Sequence, residues 1–598
     1  MLKPTRTLSA ITLLFIFWMN QAMAQTFTYP STNYDEPYRD QFHFSAQSGW
    51  MNDVNGLWYQ NGVYHMTYQH VPYGLTGGQH LFWGYATSPD MLHWTQQPFA
   101  LIPGGNVPGD CWSGSTVVDL DNTSGLKTGA NPVLVSFYTA TTEGTCLAYS
   151  NDLGATWQAY GGNPVAIGGP TPDTRDPHVF WYAPTETWVC LHYENGTAFY
   201  TSKDLKSWTK TSHIDFGFEC PDMYELPIDG NVHNQKWIVQ DASGAYLVGD
   251  FDGKTFTPDP GGPYHMDVGP DFYASQTFFR QTFPDSRVIQ LAWTRNFQKA
   301  TEPWSQSATF PVELRLKTFP EGLRVTRTPI DEIKKLYAGT HHYNRQTLTA
   351  GQNLLAGKHS ECCDIEAVFD LTNTTASKIT FHLGDLSFIY DTVNKTLLGK
   401  PLAANGNIVK VRILRDWCQL EVFGNDGELS YTQGFGFTPG DGSLSIVPDD
   451  RVDLVSADFR AIRRTWPGTA RKPGAVIDDA DPSVLYGGVW NTAGESIYYK
   501  GGCHFSSTTG GYVEADFRGT DLEWWGLVNT DLGKADIFID GARVAHDIDC
   551  YSPVRTMKRL FETDGLKSGS HTVKVVVTGD KDQASSGSAI VHDYFVAR

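Results

Sequence analysis

The sequence predicts an all-β protein with several domains, and three observations support this fold class. Short runs that alternate apolar and polar residues occur along most of the chain, separated by Gly, Asn and Pro turn signals, a pattern typical of strands. Aromatic residues make up 13% of the sequence, an abundance that favours pleated sheets over helices. The 598 residues exceed the size of a single hydrophobic core, so we expect about two to four domains.

The N-terminal segment, residues 1–24, has the features of a secretory signal peptide. Lys3 and Arg6 precede an apolar run over residues 11–18, and residues 22–24 read Ala-Met-Ala, a small-x-small cleavage pattern. A short membrane anchor is the alternative, but the apolar run is too short to span a bilayer comfortably. We therefore expect a secreted or periplasmic protein whose mature form is not inserted in a membrane.

The charge balance restricts the class of partner. The chain has 45 Lys and Arg against 65 Asp and Glu, a net charge of −20. This excess of negative charge argues against nucleic acid or an anionic membrane as the partner. A neutral ligand such as a sugar fits better, because exposed aromatic rings offer stacking surfaces.

Cysteine usage predicts no metal centre and an incomplete set of disulfides. All nine cysteines lie in the mature part of the chain, and an odd number leaves at least one thiol outside any bridge. The adjacent pair Cys362 and Cys363, and the pair Cys503 and Cys550, are candidate bridges. No Cys or His group has the spacing of a zinc site.

The stretch over residues 43–70, HFSAQSGWMNDVNGLWYQNGVYHMTYQH, places a lone carboxylate before a hairpin. Two strand-like runs are separated by Asn61-Gly62, a pair suited to the positive φ angles of a tight turn. Asp53 therefore lies at the loop or strand start that feeds the hairpin, where a side chain can reach a ligand. An ordinary Asx turn entering a strand is the alternative interpretation.

A repeated pattern predicts β-propeller blades. SPDMLHWTQ, SNDLGATWQA and SKDLKSWTK begin at Ser88, Ser150 and Ser202, and a degenerate copy, GDFDGKTFTPD, begins at Gly249. Repeats at this spacing along the chain, each preceded by strand-like runs, are typical of propeller blades. We expect the Asp-Leu pair to form the turn between outer strands and the Trp to pack between blades, although a common turn sequence could recur by chance.

The order of these patterns divides the chain into domains. We predict a propeller over residues 25–325, a β-sandwich over 326–465, a Pro/Gly-containing linker over 466–475 and a separate β-domain over 476–598. The last domain resembles the galactose-binding-like jelly-roll modules of secreted carbohydrate enzymes. We expect it to make few contacts with the rest and to act in targeting; Trp524-Trp525 could stack on sugar or fill its core.

Two further acidic motifs stand at predicted strand entrances in the propeller. Arg175-Asp176 precedes VFWY, and Glu219-Cys220 precedes MYELP. Equivalent positions of successive blades converge on the propeller axis, so these acids and Asp53 could meet at one mouth. Glycoside hydrolysis needs such carboxylates, one to attack the anomeric carbon and one to protonate the leaving oxygen.

An ordered set of motifs along roughly residues 35–465 resembles glycoside hydrolase family 32, the levanases, inulinases and invertases. The motifs are WMNDVNG from Trp50, WSGS from Trp112, RDP from Arg175, ECPD from Glu219, DFYASQTF from Asp271 and DWCQLEVF from Asp416. The resemblance implies a five-bladed β-propeller followed by a β-sandwich, retaining cleavage of β-fructofuranosyl linkages, and no cofactor or metal.

The matching motifs also imply roles for individual residues. Asp53 is the expected nucleophile, Glu219 the acid/base, and Asp176 the transition-state stabiliser, which Arg175 should keep ionised. The expected substrate-binding residues are Asn52, Gln69, Trp83, Trp112, Ser113, Arg175 and Trp293, and packing between blades is the alternative for each aromatic residue. Val54 and Asn296-Phe297 depart from the family pattern, and we expect them to affect substrate preference more than the reaction.

The resulting functional hypothesis is a secreted fructan hydrolase that acts on levan or inulin, with sucrose as a further candidate substrate. Two alternatives remain at this point: a fructosyltransferase on the same scaffold, and a fructan-binding protein with vestigial acids. The substrate is therefore a fructan or sucrose-type carbohydrate in every case, with no nucleic acid partner, and the oligomeric state is open.

Overall fold

The computed structural model describes most of the chain beyond residue 26. The described residues are 27, 29–30, 32, 34, 36, 38–78, 80–169, 172–278, 284–295, 303–436, 442–466, 475–481, 484–563, 565–567 and 569–598. The predicted signal peptide and Asn296-Phe297 lie outside these residues. No helix within the described ranges is long and apolar enough to cross a membrane.

The all-β fold class is confirmed, and the N-terminal part is a five-bladed β-propeller. Blades one to four are the antiparallel sheets β1–β4, β5–β8, β9–β12 and β13–β16; β18, β19, β22 and β23 form the fifth blade. The strands are β1 (Gly49–Gln60), β2 (Val63–Val71), β3 (Phe82–Ser88), β4 (Thr95–Leu101), β5 (Cys111–Asp119), β6 (Val133–Ala140), β7 (Gly144–Ser150), β8 (Gln158–Ala159), β9 (Arg175–Tyr182), β10 (Thr187–Tyr193), β11 (Thr197–Ser202), β12 (Thr209–Ile214), β13 (Asp222–Ile228), β14 (Asn231–Gln240), β15 (Ala245–Phe251), β16 (Phe256–Pro258), β17 (Tyr264–His265), β18 (Phe272–Phe278), β19 (Val288–Thr294), β20 (Trp304–Ser305), β21 (Ser307–Ala308), β22 (Val312–Phe319) and β23 (Gly322–Pro329).

The chain closes the propeller by returning to the first blade. The short strand β20 pairs in parallel with the start of β1, so that Trp304 lies opposite Gly49. The propeller sheet also continues past the predicted boundary at residue 325, because β23 pairs with β22 along its whole length to Pro329. A short 3₁₀ helix over Asp331–Leu336 then leads into the next domain.

The Trp-containing repeats form one recurring turn between the third and fourth strands of the first three blades. In each repeat an aspartate side chain accepts hydrogen bonds from backbone amides two to four residues later, and the next residue has a left-handed φ. The aspartates are Asp90, Asp152 and Asp204, followed by Met91 (φ 63°), Leu153 (62°) and Leu205 (61°). The Asp-Leu pair therefore makes the turn that the repeats predict.

The tryptophan of each repeat packs between blades. Its indole nitrogen donates to a carbonyl three residues earlier, which fixes the ring beside the turn. Trp157 of the second blade lies edge-on to Trp58 of the first, with ring centroids 6.2 Å apart, and Trp208 of the third lies edge-on to Phe137 of the second at 5.6 Å. In the degenerate fourth copy the buried Phe256 takes this place.

The second domain is a β-sandwich. One sheet has the order β24-β35-β26-β31-β32-β33, with β25 beside β35, and the other has the order β30-β29-β28-β27-β34. The strands are β24 (Tyr337–Tyr343), β25 (Gln346–Leu348), β26 (Cys363–Asp370), β27 (Lys378–Leu383), β28 (Leu386–Asp391), β29 (Thr396–Leu397), β30 (Lys400–Pro401), β31 (Ile408–Arg415), β32 (Gln419–Gly424), β33 (Leu429–Gly434), β34 (Leu444–Pro448) and β35 (Val452–Ile462). Their alternating apolar residues form one buried core.

A buried polar network joins the sandwich to the propeller. Asp416 accepts hydrogen bonds from the amides of Gln41 and Phe42 and lies 2.9 Å from His43 Nδ1, while His43 Nε2 lies 3.3 Å from Glu421. Burial opposes the charge on His43, but its two carboxylate partners raise its pKa to about 10. The stabilising contribution of His43 is therefore complete below its unfolded pKa of about 6.5 and is lost as the pH rises through about 10.

The C-terminal domain is a further β-sandwich of the jelly-roll type. Its main sheets have the orders β36-β47-β41-β44 and β37-β40-β45-β42-β43, and a small sheet has the order β38-β39-β46. The strands are β36 (Ala475–Asp478), β37 (Leu485–Gly487), β38 (Asn491–Gly494), β39 (Gly502–Ser506), β40 (Tyr512–Gly519), β41 (Leu522–Val528), β42 (Lys534–Ile539), β43 (Ala542–Asp549), β44 (Thr556–Thr563), β45 (Gly569–Val577), β46 (Ile590–His592) and β47 (Tyr594–Ala597).

The C-terminal domain packs against the rest of the protein, contrary to the expectation of few contacts. Tyr499, in its 3₁₀ helix, hydrogen-bonds Tyr38 and packs against the core of the second domain. The predicted linker also starts too early, because Trp466 is buried, stacks on Tyr34 at 4.1 Å and donates to the carbonyl of Asp40. These contacts anchor the chain on both sides of residues 467–474.

The structure decides two questions that the sequence left open. Trp524 and Trp525 are both buried, at 0% and 6% exposure, so they fill the domain interior and neither offers a stacking face for sugar. The nine cysteines, all within the described residues, form no disulfide, so the candidate bridges Cys362–Cys363 and Cys503–Cys550 are not formed. The C-terminal domain is therefore held together without a covalent cross-link.

We predict that Asp416→Asn destabilises the protein strongly, because it leaves the buried His43 cation with Glu421 as its only carboxylate partner. Loss of one member of a buried ion pair typically costs about 3–5 kcal/mol. The measurement is the midpoint of chemical unfolding at pH 7. Asp458→Asn, in the half-exposed pair with His342, is the matched control and should cost less than about 1 kcal/mol; equal losses would contradict the assignment.

Candidate active site

The three predicted acids lie near the entrances of innermost strands, where the blades meet around the propeller axis. Asp53 lies within β1, Asp176 is the second residue of β9, and Glu219 stands three residues before β13. β1 adjoins β5 and β18, and β5 adjoins β9. The register of β1, β5 and β18 with their neighbours shifts at this end, and β9 shows a shift opposite Arg175. Such β-bulges re-aim side chains, so each blade directs its entry residues toward the shared mouth.

Backbone strain is concentrated at the same place. Asp176 has a φ of 61°, Glu219 of 59° and Cys220 of 39°. A left-handed conformation costs a non-glycine residue about 1–2 kcal/mol, and such strain clusters at functional sites. The surrounding sheet therefore holds these two acids in orientations that a relaxed strand would not provide.

Three carboxylates from separate blades meet around one thiol. The Cys220 thiol lies 3.4 Å from Asp53 Oδ2 and 3.7 Å from Asp176 Oδ2, and the Cys220 amide donates to Asp176 Oδ2 at 3.0 Å. Glu219 is its neighbour in the chain. Cys220 is therefore the common contact of the two aspartates.

Burial and mutual repulsion raise the proton affinity of the two aspartates. Burial raises the pKa of Asp53 to about 6, with a further contribution from Glu219, while the Ser113 hydroxyl, which donates at 2.6 Å, opposes the shift. Burial, together with Asp53 and Glu219, raises the pKa of Asp176 to about 7. Both groups thus titrate close to neutral pH, as acid-base sites do.

Glu219 is held from two sides. Arg175 donates to Glu219 Oε1 at 2.8 and 3.2 Å, and the Tyr273 hydroxyl donates to Oε2 at 2.6 Å. The Arg175 guanidinium lies over the Tyr193 ring, 4.6 Å from its centroid. Arg175 is 3.7 Å from Asp176, too far for a hydrogen bond. Arg175 favours the ionised form of Asp176, as expected, but burial outweighs this effect on the pKa of Asp176, and the hydrogen bonds of Arg175 go to Glu219.

One of the predicted substrate-binding residues, Trp83, supports the site from below, and two others, Gln69 and Ser113, are linked to Asp53 by hydrogen bonds. Trp83 is fully buried, and its indole donates to the carbonyl of Trp112 at 3.1 Å. Gln69 and Ser113 are also buried; Gln69 donates to the Ser113 hydroxyl, which in turn binds Asp53. The correction concerns Trp83 above all, because a ring with no exposed surface cannot contact a sugar.

The remaining predicted residues face open space. Trp112, Arg175 and Glu219 line a cavity of about 570 Å³, together with Tyr193 and Asn195. This volume is in the range of ligand sites. Sequence reasoning did not single out Tyr193, whose only sequence signal was its place at the end of a predicted strand.

Two more site residues extend the rim toward the first blade. Asn52 is half-buried, and its side-chain oxygen has no hydrogen-bond partner among the described residues. Trp293 lies edge-on to both Trp50 and Tyr273, with ring centroids 6.1 Å apart in each case. Tyr273 was not assigned a role from sequence, although it stands within the DFYASQTF motif.

Comparison with known proteins identifies the family. The sequence model for the N-terminal domain of glycosyl hydrolases family 32 matches residues 43–329, and the model for the C-terminal domain of the same family matches residues 332–445. The chain belongs to glycoside hydrolase family 32. The family 32 match ends before the third domain, which lies beyond both models.

Individual family 32 relatives agree with this assignment. The chain is 39% identical to a levanase of Bacillus subtilis over 451 residues, 67% of this chain and 66% of the levanase. It is 31% identical to an extracellular exo-inulinase of Aspergillus niger over 73% of this chain and 96% of the inulinase. The crystal structure of an exo-inulinase from Aspergillus awamori matches 73% of this chain with a TM-score of 0.65 and 29% identity, and is itself covered completely.

Groups that could hold a metal lie away from this mouth. Among the described residues, two sets of ligand atoms lie within 4.8 Å of one another: Asp536, His546 and Asp547, and Asp478, Asp479 and Asp593. Both sets belong to the C-terminal domain. The carboxylates of the propeller mouth are instead paired with protein donors.

We predict that catalytic efficiency falls below about pH 6, because protonation of Asp53 removes its negative charge. The Ser113→Ala variant loses the hydrogen bond that lowers the pKa of Asp53. The acidic limb of its pH profile should therefore move to higher pH. The measurement is the pH dependence of kcat/KM on sucrose. Ser115→Ala is the control, since this serine on the same strand contacts the backbone of residues 177 and 179; an acidic limb near pH 4 would contradict the prediction.

Proposed function

We propose that this protein is an exported, retaining β-fructofuranosidase that hydrolyses fructans of the levan or inulin type as well as sucrose. Membership of family 32 and the levanase and exo-inulinase relatives support the reaction class. Residues 1–24 support export, since they carry the features of a signal peptide. Residues 25–329 are the proposed catalytic domain.

One observation carries this proposal: Asp53, Asp176 and Glu219 come from three different blades and meet at one mouth, around Cys220. A protein that only binds sugar does not require two acids whose pKa values are raised by burial, nor the left-handed backbone that orients Asp176 and Glu219. Their retention, together with donors directed at each acid, favours a catalytic role over the binding-protein alternative.

In the first proposed step Asp53 acts as the nucleophile. Its carboxylate oxygen attacks the anomeric carbon of the terminal fructosyl unit, and the bond to the leaving oxygen breaks as Glu219 donates a proton to that oxygen. The Ser113 hydroxyl fixes the orientation of Asp53. Arg175 and Tyr273 fix the orientation of Glu219.

In the second step a water molecule replaces the leaving group. Glu219, now a carboxylate, takes a proton from this water, whose oxygen attacks the anomeric carbon and releases Asp53 and fructose. Asp176 is proposed to bind fructose hydroxyls; with a pKa of about 7 it can accept or donate a hydrogen bond near neutral pH. Hydrogen bonds that strengthen as the sugar becomes oxocarbenium-like lower the barrier.

We predict that Asp53→Ala and Glu219→Ala each lower kcat on levan by at least about 10²-fold, because each removes a group that reacts with the substrate. Circular dichroism should be unchanged. Asp90→Ala, in an outer turn of the first blade, is the control and should keep its kcat within about twofold. Near wild-type turnover in either catalytic variant would refute the proposed roles.

Retention gives a further prediction, since two displacements at one carbon preserve its configuration. The fructose first detected by NMR after mixing with sucrose should be the β anomer, before mutarotation. Products should be fructose and glucose in equal amounts. An initial α anomer would require an inverting mechanism, and larger oligosaccharides as main products would indicate the transferase alternative.

A further inference from the structure

A second groove lies between the propeller and the C-terminal domain, outside the catalytic mouth. Its propeller side is formed by Ser48 and Tyr73 with Phe27 of the N-terminal segment, and its other side by Ile497, Val554 and Arg555. The groove has a volume of about 480 Å³, within the range of small-ligand sites. The family 32 models end at residue 445, so one wall of this groove belongs to no family domain.

The groove exposes apolar surface on both walls. Tyr73 is 61% exposed and Val554 is 66% exposed. A single exposed apolar side chain is ordinary, but two on opposite walls of one groove indicate a contact surface. Phe27 supports the Tyr73 ring edge-on, with centroids 5.1 Å apart, so this ring can serve as a platform for a sugar face.

The same groove contains polar groups suited to hydroxyls. The Ser48 hydroxyl is buried and has no hydrogen-bond partner among the described residues. Arg555 is held by Glu495 at 2.9 Å and by the Tyr498 hydroxyl at 3.3 Å. Because its charge is already paired, the groove favours a neutral polyhydroxylated ligand over an anion.

Strand β1 links the groove to the catalytic mouth. This strand begins in the groove at Gly49 and carries Asp53 four residues later, a separation of at most about 13 Å. Trp50 lies between them, in contact with Trp293 at the rim of the mouth. The distance exceeds one sugar ring but is within reach of a short oligosaccharide.

We propose that this groove binds the leaving-group side of a fructan chain while its terminal fructosyl unit occupies the catalytic mouth. This inference rests on the proposed function and assigns the C-terminal domain a direct part in binding the chain being cleaved. The domain is suited to this role because Tyr499 contacts Tyr38 and the core of the second domain, which fixes the nearby Ile497 on its wall of the groove. Sucrose is too short to reach the groove, so its hydrolysis is independent of it.

The test compares kcat/KM on sucrose and on levan or inulin for full-length variants. Tyr73→Ala removes the ring platform, and Val554→Asp places a charge on the opposite wall. Each variant should lower kcat/KM on the long substrates by about fivefold to tenfold through a higher KM, a change of the size expected for one lost aromatic contact. The kcat/KM on sucrose should stay within about twofold of wild type. Tyr73→Phe, which keeps the ring, should stay close to wild type, as should Val544→Asp, an exposed valine of the same domain outside the groove.

The outcomes separate this inference from the proposed function. If the wild type hydrolyses all substrates and neither variant changes the ratio of kcat/KM on the long substrates to kcat/KM on sucrose, the proposed role of the groove is wrong and the proposed function stands. Equal losses on sucrose and on polymers would also overturn the proposed role of the groove. A wild type that hydrolyses none of the substrates would overturn both. Thermal unfolding checks that each variant is folded. If Tyr73→Ala is unstable, the Val554→Asp variant, at an exposed position, tests the groove by itself.

Discussion

The convergence of three acids at one mouth, two of them buried, is the constraint on which the rest of the structure depends. Burial and mutual repulsion raise the pKa values of Asp53 and Asp176 to about 6 and 7, which opposes their ionisation. The site offsets this with donors: Ser113 for Asp53, the Cys220 amide for Asp176, and Arg175 with Tyr273 for Glu219. These donors come from different blades, so the site exists only when the propeller is closed.

The β-sandwich contributes rigidity to this arrangement. The motif DWCQLEVF, which helped to identify the family, places Asp416 and Glu421 against His43. His43 lies six residues before the start of β1, the strand that carries Asp53. A second buried pair, Arg327 with Asp267 at 2.6 Å, ties the end of the propeller to the sandwich residue Ser430. Part of the family signature therefore reflects domain packing and not chemistry.

The C-terminal domain completes a surface that the two family domains leave unfinished. Its contacts at Tyr499 place Val554 and Arg555 opposite Tyr73 of the first blade. A domain joined only by a flexible tether would raise the local concentration of polymer. A docked domain can in addition shape the path of the chain that enters the mouth.

The sequence by itself determined the fold class and the recurring turns, and it predicted the three acids that the structure brings together. Alternation of apolar residues specifies strands locally, and the Asp-Leu-Trp pattern specifies its own turn, because both depend on neighbours in the chain. Side-chain environment was decided only by the tertiary structure. Trp83 and Trp112 look alike in sequence, yet one is buried beneath the other. Arg175 directs its hydrogen bonds to Glu219, which is distant in sequence, although it also lies 3.7 Å from the adjacent Asp176. The burial of Trp524 and Trp525 and the docking of their domain likewise depend on residues far away in the chain, since long-range packing sets which face meets solvent.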